Sequence, residues 1–334
     1  KERPGRLKKI PNIGEYVLAA LQDRRIFEQV DKELSFIDRY GIRPVFYLDS
    51  DYPARLRNCE DAPIMLYIKG NLDLEKQKVL SIVGTRRATD RGLDLCRELV
   101  VDLARTGEKV IIVSGLAYGI DVCAHKAALN NGLSTVAVLG HGLDTIYPSL
   151  HRQVAAEIVD TGALVSEFSS QTAFVRANFI SRNRIIAGLS DATVVVESGE
   201  KGGALITADI ANSYNREVFA FPGRVDDPRS KGCNQLIKSS KASLIEDAAD
   251  LAYVMGWEIT RQKRKVVQQQ LFDELEGMQK RIVDLLKTHG MLSMDDIGFR
   301  CESPVSKVSP LLLDLEFKGI VRSLPGNLYK LASN

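Results

Sequence analysis

Two segments decide the fold of this chain: Val79-Leu-Ser-Ile-Val-Gly-Thr-Arg-Arg87 and Val110-Ile-Ile-Val-Ser-Gly-Leu-Ala-Tyr-Gly-Ile-Asp121. Each begins with a run of apolar residues and ends in a turn of small residues before a helical stretch, which is typical of a strand–turn–helix unit. In a parallel sheet such turns meet at the carboxyl edge, where backbone N–H groups and helix N-termini face outward. Because the first turn also carries Arg86 and Arg87, the sequence predicts a phosphate-binding pocket at this edge. A tight turn with solvated arginines is the alternative.

The same alternation of strand and helix continues along the chain. Strands are predicted at residues 79–84, 109–114, 134–139, 163–167, 193–197 and 217–221. Apolar residues at helical spacing predict a helix over residues 89–106, which begins at Thr89-Asp90 and ends before Gly107. The strands are apolar throughout, as in a sheet covered on both faces. The predicted fold class is therefore α/β, with a doubly wound, Rossmann-like domain.

Composition divides the 334 residues into four parts. We expect a helical N-terminal segment at 1–43, a Rossmann-like domain at 44–257, a basic polar linker at 258–276 and a winged-helix domain at 277–334. In the winged-helix domain, helices at 278–289, 294–299 and 305–318 precede two strands around Pro325-Gly-Asn327. The third helix carries two lysines against Asp314 and Glu316, so the sequence favours a protein-interaction or DNA-modulating role over duplex binding.

The N-terminal segment contains Ile10-Pro-Asn-Ile-Gly14 ahead of a helical stretch. Two interpretations remain open. The segment matches the second half of a helix-hairpin-helix motif, whose glycine turn offers N–H groups to a DNA phosphate, and it equally matches a helical cap. Residues 26–70 then predict a helix and two short strands, 44–48 and 64–68, packed on the main sheet.

The overall composition indicates a soluble intracellular protein. Hydrophobic residues make up 45% and charged residues 26%, and the net charge is only +2, so nucleic-acid binding must come from local clusters of arginine and lysine. Five cysteines lie without a Cys-x-x-Cys pair, which favours buried free thiols in a reducing cytoplasm over a zinc site or disulfides. No apolar run approaches ~18 residues and no signal peptide is recognised, so we expect a cytoplasmic protein without membrane contact.

The turns carry donors and small residues. Ser114, Gly115 and Gly119 are suited to donate to an anion. Asp121 is better explained as a helix cap or loop support than as a base. Tyr147, in the turn Gly140–Pro148, is open to two interpretations, which are stacking on a base and packing inward.

The pattern of titratable side chains does not indicate a catalytic reaction. Glu167 is equally an ion-pair partner for the arginines and a proton carrier, and His125 is better explained as structural. A helix predicted over 179–188 carries Arg182, Asn183 and Arg184 in its first turn. No Ser-His-Asp arrangement, metal cluster or nucleophile emerges, so we predict no catalytic residue, no metal and no cofactor. The pattern favours binding of a phosphorylated ligand.

Six linked motifs resemble those of the DNA-processing protein A (DprA/Smf) family and span residues 45–255 in the family's order. They are Gly84-Thr-Arg86, Ser114-Gly-x-Ala-x-Gly-Ile-Asp121, Gly140-x-Gly-x-Asp-x-x-Tyr-Pro148, Arg182-Asn-Arg-Ile-Ile-Ala-Gly-Leu-Ser190, Gly202-Gly-Ala-Leu-Ile-Thr-Ala208 and Phe221-Pro-Gly223. The resemblance implies a non-catalytic, cytoplasmic bacterial protein that binds single-stranded DNA. It also implies protection of incoming DNA in natural transformation and homologous recombination, and loading of RecA recombinase while single-strand binding protein is displaced or worked around. It further implies homodimers joined through the Rossmann-like domain.

The resemblance also assigns residues. By position, contacts to DNA phosphates fall on Gly84, Thr85 and Arg86, with Ser114, Gly115 and Gly119 beside them, and on Asn183, Arg184, Gly202 and Gly203. Arg87 is added because it is adjacent and has the same chemistry. Base stacking or loop support is expected of Asp121, Tyr147, Phe179 and Arg182.

Two other functions remain open from the sequence. The turn from Gly202 to Thr207 is also similar to that of lysine-decarboxylase-like nucleotide phosphoribohydrolases, in which Glu197 or Glu167 would act on a nucleoside monophosphate. Release of base from AMP or CMP would distinguish that enzyme from a DNA-binding protein. A transcription regulator is the other alternative, and it requires duplex affinity within residues 278–334 alone.

Overall fold

The computed structural model describes Tyr16 and residues 23–70, 74, 77–257, 277–324 and 326–332. The chain divides into two compact units, one ending at Ile259 and the other beginning at Thr260. The predicted helix-hairpin-helix segment, Ile10–Gly14, and the predicted linker, 258–276, lie outside the described residues.

From residue 23, the first unit forms two helices and two short strands before the main sheet. Helix α1 (Arg24–Tyr40) starts at Asp23, whose carboxylate accepts from the Arg25 N–H at 2.9 Å. Strand β1 (Arg43–Phe46), helix α2 (Ala54–Arg57) and strand β2 (Met65–Gly70) follow. Because β1 pairs with β2 and β2 pairs with the main sheet, both antiparallel, the predicted short strands extend one edge of the sheet rather than packing on its face.

Seven parallel strands complete a nine-stranded sheet in the first unit. They are β3 (Lys78–Val83), β4 (Val110–Ser114), β5 (Thr135–Leu139), β6 (Ala163–Ser166), β7 (Ala192–Val195), β8 (Glu217–Ala220) and β9 (Ser243–Leu244). The order β1-β2-β6-β5-β4-β3-β7-β8-β9 reverses at β3, since β4 to β6 lie on one side and β7 to β9 on the other. The predicted doubly wound class is confirmed, and the reversal marks where such a sheet leaves a crevice for ligands.

Helices cover both faces of this sheet. They are α3 (Asp90–Arg105), α4 (Ile120–Asn130), α5 (Arg152–Thr161), α6 (Arg176–Ser181), α7 (Asn183–Leu189), α8 (Gly203–Ser213), α9 (Lys231–Lys238) and α10 (Ala248–Met255), with a 3-10 turn at Ser149–His151. Along β4, Ile111 and Val113 enter one apolar core while Val110 and Ile112 enter the other.

Two helix predictions have different outcomes. Helix α3 is as predicted, because the Thr89 hydroxyl accepts from the Gly92 N–H at 3.0 Å and caps its first turn. The single helix predicted over 179–188 is wrong, since the chain forms α6 and α7 with a break at Arg182.

The second unit is a winged helix, as predicted. Helices α11 (Gly277–His289), α12 (Met294–Arg300) and α13 (Val305–Phe317) pack around an apolar core, and β11 (Val321–Leu324) pairs with β12 (Leu328–Leu331). A further strand, β10 (Met291–Ser293), was not predicted and pairs with β12. Across the described ranges of both units, no helix combines the length and the apolar character needed to cross a bilayer.

Candidate nucleic-acid interface

A cleft of about 1180 Å³ opens beyond the carboxyl ends of β3 and β7, where the strand order reverses. The turn Gly84–Arg86 after β3 forms one wall, and the turn Ser198–Gly203 after β7 leads into α8 on another. Ten predicted site residues line this cleft: Gly84, Thr85, Arg86, Asp121, Tyr147, Phe179, Arg182, Asn183, Gly202 and Gly203.

The floor of the cleft contains a buried arginine. Arg182 is only 4% exposed, and its Nη1 donates to the Val138 carbonyl at 2.9 Å. Its guanidinium passes directly over Gly115, where a Cβ atom would lie 1.6 Å from Nη1. Burial lowers the pKa of Arg182 to about 10, and the nearby Asp121 opposes that shift. Arg182 therefore stays charged at neutral pH and places a fixed positive charge beneath any ligand.

Asp121 lies in the first turn of α4 and is buried. Burial raises the pKa of its carboxyl group, while the Arg182 charge and the backbone N–H groups of Ala117 and Gly115 lower it. Those hydrogen bonds tie the carboxylate to the turn after β4. Asp121 is thus placed to support this loop.

The rim of the cleft carries three exposed cations, Arg86, Arg176 and Lys201. Helix α8 begins directly beside Lys201, and its N-cap Gly202 offers no side chain to the first-turn N–H groups. Helix N-termini attract anions because their N–H groups are unpaired and the helix dipole is positive there. The rim is therefore suited to bind phosphate.

An aromatic wall, defined as Tyr147, Phe174 and Phe179, lines the same cleft. His141 stacks on Phe174 with ring centroids 4.9 Å apart, and Tyr147 meets Phe174 and Phe179 edge-on at 5.9 and 5.8 Å. Half of the Tyr147 side chain is exposed (52%), so it does not pack inward. Exposed ring faces of this kind can stack with unpaired bases.

Five predicted residues lie outside the cleft lining: Arg87, Ser114, Gly115, Gly119 and Arg184. The Ser114 hydroxyl group is buried and donates to the Ile82 carbonyl at 2.6 Å, so the structure does not place this hydroxyl group in the cleft. Gly119 has a φ of 75° and leads into α4. Arg87 is exposed beside the cleft.

Arg184 forms a mostly buried ion pair with Glu167. The two side chains are 16% and 14% exposed, and the Arg184 Nε lies 4.0 Å from an Asp61 carboxylate oxygen. The structure places Arg184 in this ion pair and outside the cleft lining, and its predicted contact with phosphate stays a prediction. Of the two interpretations of Glu167, the ion pair is the one that the structure shows.

The side chains of the remaining titratable candidates, Glu197 and His125, have hydrogen-bond partners within the protein. A Glu197 carboxylate oxygen accepts from the Thr89 N–H at 2.8 Å, and neither Glu197 nor Glu167 lines the cleft. His125 is fully buried with Nδ1 2.7 Å from the Thr135 hydroxyl oxygen, and burial lowers its pKa to about 3. The five cysteines are buried free thiols, as predicted.

The lining residues that were missed from the sequence include Phe174, Arg176, Lys201 and Ile206. Lys201 had a local signal, because it stands directly before Gly202-Gly203 at the start of a predicted helix. Phe174 had none, since its place depends on how the loop between β6 and α6 folds over the sheet edge.

Residues 43–256 match the protein family described as DNA recombination-mediator protein A, and residues 268–327 match the DprA winged helix domain. This chain belongs to the DNA recombination-mediator protein A family. The resemblance inferred from the six motifs is thereby confirmed.

Individual relatives agree with this assignment. A DNA processing protein DprA from Streptococcus pneumoniae is 39% identical over 204 residues, which cover 61% of this chain and 71% of that protein. The X-ray structure of DprA from Streptococcus pneumoniae is similar with a TM-score of 0.67 at 34% identity, covering 76% of this chain and 87% of that one. The structure of DNA processing protein A from Helicobacter pylori, described for its single-stranded DNA binding mode, has a TM-score of 0.58 at 28% identity and covers 65% and 96%.

Proposed function

We propose that this chain binds single-stranded DNA in the cleft and acts as a non-catalytic recombination mediator. The observation that carries the proposal is that three exposed cations and an aromatic wall line one cleft. Cations attract the phosphates of any nucleic acid, whereas aromatic faces are useful only to bases that are not already stacked in a duplex. The Helicobacter pylori relative, described for binding single-stranded DNA, supports the same conclusion.

Each part of the cleft has a separate role in this proposal. Arg86 is suited to hold a phosphate through two parallel hydrogen bonds, and Lys201 acts as a point charge beside the N-terminus of α8. Tyr147 and Phe179 offer ring faces and edges to the bases. None of these contacts reads a base edge, so binding is expected to be largely independent of sequence.

Fluorescence anisotropy tests this proposal with a labelled oligothymidine and the matching duplex over a salt series. We expect the single strand to bind more tightly than the duplex. If the three rim cations each neutralise one phosphate, the slope of log K against log salt concentration should be about −2. Equal or tighter binding of the duplex would contradict the proposal and direct attention to the winged helix.

We further propose that the bound strand is protected from nucleases and passed to RecA recombinase in the cytoplasm, alongside single-strand binding protein. Membership of the recombination-mediator family supports this role. In this proposal the cleft binds a short stretch of the strand and leaves the flanking nucleotides accessible to a recombinase.

The first unit is also proposed to form a homodimer at the β9 edge of its sheet. Leu244 on β9 and Tyr253 and Val254 on α10 are exposed apolar side chains, and Tyr253 is 88% exposed. Burying them against a second copy would remove apolar surface from water and protect an edge strand. Tyr253→Glu is expected to convert the dimer into a monomer in sedimentation velocity, because a charge would be buried unpaired.

Leu150→Glu is the matched control for the dimer. Leu150 is 78% exposed, and it follows β5, five strands away from β9 in the sheet order. This variant should remain dimeric. A dimer that survives Tyr253→Glu, or dissociates in Leu150→Glu, would place the interface elsewhere.

A further inference from the structure

Glu33 on helix α1 contacts Ser170, in the loop between β6 and α6 that also carries Phe174 of the aromatic wall. Glu33 is half-buried and lies one turn before the buried Ile37, on the same face of α1. Its two carboxylate oxygens accept from the Ser170 N–H at 2.9 and 3.1 Å, and one of them accepts from the Ser170 hydroxyl group at 2.5 Å. Hydrogen bonds to a charged acceptor are stronger than neutral ones, so this contact holds the Ser170 backbone in one place.

The loop that contains Ser170 is narrowly defined by its other contacts. The Thr172 hydroxyl group donates to the Ser169 carbonyl at 2.7 Å, and Gln171 has a left-handed φ of 61°. The Ser169 carbonyl lies so close to Gly142 that a Cβ atom there would be 2.4 Å away. The loop therefore packs tightly on the Gly140–Gly142 turn, which leaves it few alternative arrangements.

The same loop carries part of the aromatic wall. Phe174 follows Ser170 by four residues, lines the cleft and is half exposed. Its ring stacks on His141, which belongs to the turn under the loop. The position of the Phe174 ring thus depends on the loop, and the loop is held from outside by Glu33.

We propose that Glu33 is a positioning residue for DNA binding, which fixes the Phe174 side of the aromatic wall without contacting the strand. This inference rests on the proposed function of the cleft. Helix α1 is itself anchored, since Ile37 is buried and the Lys69 ammonium lies 5.6 Å from the centre of the Tyr40 ring. Helix α1 thereby contributes to base stacking at a site that it does not line.

The direction in which one substitution changes the DNA affinity distinguishes a positioning role from a purely electrostatic one. Glu33→Gln removes a negative charge from a protein that binds a polyanion, so a purely electrostatic effect would tighten DNA binding. If Glu33 positions the wall, the same variant weakens binding, because a neutral amide is a poorer acceptor for the Ser170 hydroxyl and N–H groups.

The experiment measures the affinity for an oligothymidine that contains one 2-aminopurine, whose fluorescence is quenched when it stacks. For Glu33→Gln we expect affinity to fall roughly five- to tenfold and the quenching to diminish. The salt slope should stay at the wild-type value, since no phosphate contact is lost. Asp31→Asn, at an exposed carboxylate two residues away and thus on another face of α1, is the charge-matched control; it carries only the electrostatic effect, so its affinity should not fall and its quenching should not diminish.

A second measurement, on the protein without DNA, tests directly whether Glu33 holds the loop. Hydrogen exchange of the loop from residue 168 to 176 should accelerate in Glu33→Gln and not in Asp31→Asn. Unchanged exchange, or affinity that is equal to or tighter than wild type, would overturn the role of Glu33 alone. Failure of the unmodified chain to bind single strands would overturn the proposed function, and this inference with it.

Discussion

Arg86→Ala is expected to weaken single-strand binding by about tenfold or more, because each charge-assisted hydrogen bond to phosphate contributes about 1.5–3 kcal/mol. Arg86 is exposed, lines the cleft and follows the end of β3, so its guanidinium can reach a strand without rearrangement. The salt slope should become shallower by about 0.7, the contribution of one phosphate contact in single strands. Anisotropy titrations at four or more salt concentrations measure both quantities.

Arg87→Ala supplies a control of the same charge at the next position. Arg87 is also exposed but does not line the cleft, so its loss should change the affinity less than twofold. Equal effects of the two variants would mean that the arginines act only through their long-range field, and that the strand does not lie in the cleft. Both variants should keep the wild-type melting temperature, since neither side chain is buried.

The parallel sheet could be predicted because its signals are local. The strand from Val110 to Ser114 is apolar on both faces, and both faces are indeed buried under helices. The helix that begins after Thr89 was predictable for a similar reason, since its cap and its apolar spacing lie within the helix itself. Strand β10 could not be predicted, because its three residues depend on pairing with β12.

The candidate site could be predicted only where a single turn determines it. The turn Gly84–Arg86 follows a strand whose end is plain in the sequence, and all three residues line the cleft. Arg182 and Arg184 could not be told apart in this way. Their side chains point in different directions because α6 ends and α7 begins at Arg182, and a break between two helices leaves no apolar period to detect.

The mostly buried ion pair of Arg184 gives its replacement a stability consequence that the replacement of the exposed Arg86 does not have. Arg184→Met leaves the Glu167 carboxylate mostly buried without its cation, and it is expected to lower the free energy of unfolding by about 2–3 kcal/mol. This expected loss is smaller than for a fully buried ion pair, because the two side chains are 16% and 14% exposed. Urea denaturation followed by circular dichroism measures the change, and the m-value should stay the same.

The double variant Arg184→Met with Glu167→Leu tests the cause of that loss. Replacing both partners removes the unpaired charge, so we expect it to regain most of the stability that the single variant loses, as an apolar pair of similar volume often does. Single-strand affinity, measured well below the melting temperature, should remain within twofold of wild type in both variants because Arg184 does not line the cleft. A loss of affinity as large as that of Arg86→Ala, in a variant that is fully folded, would return Arg184 to the DNA-binding site and show that the ion pair opens when the strand binds.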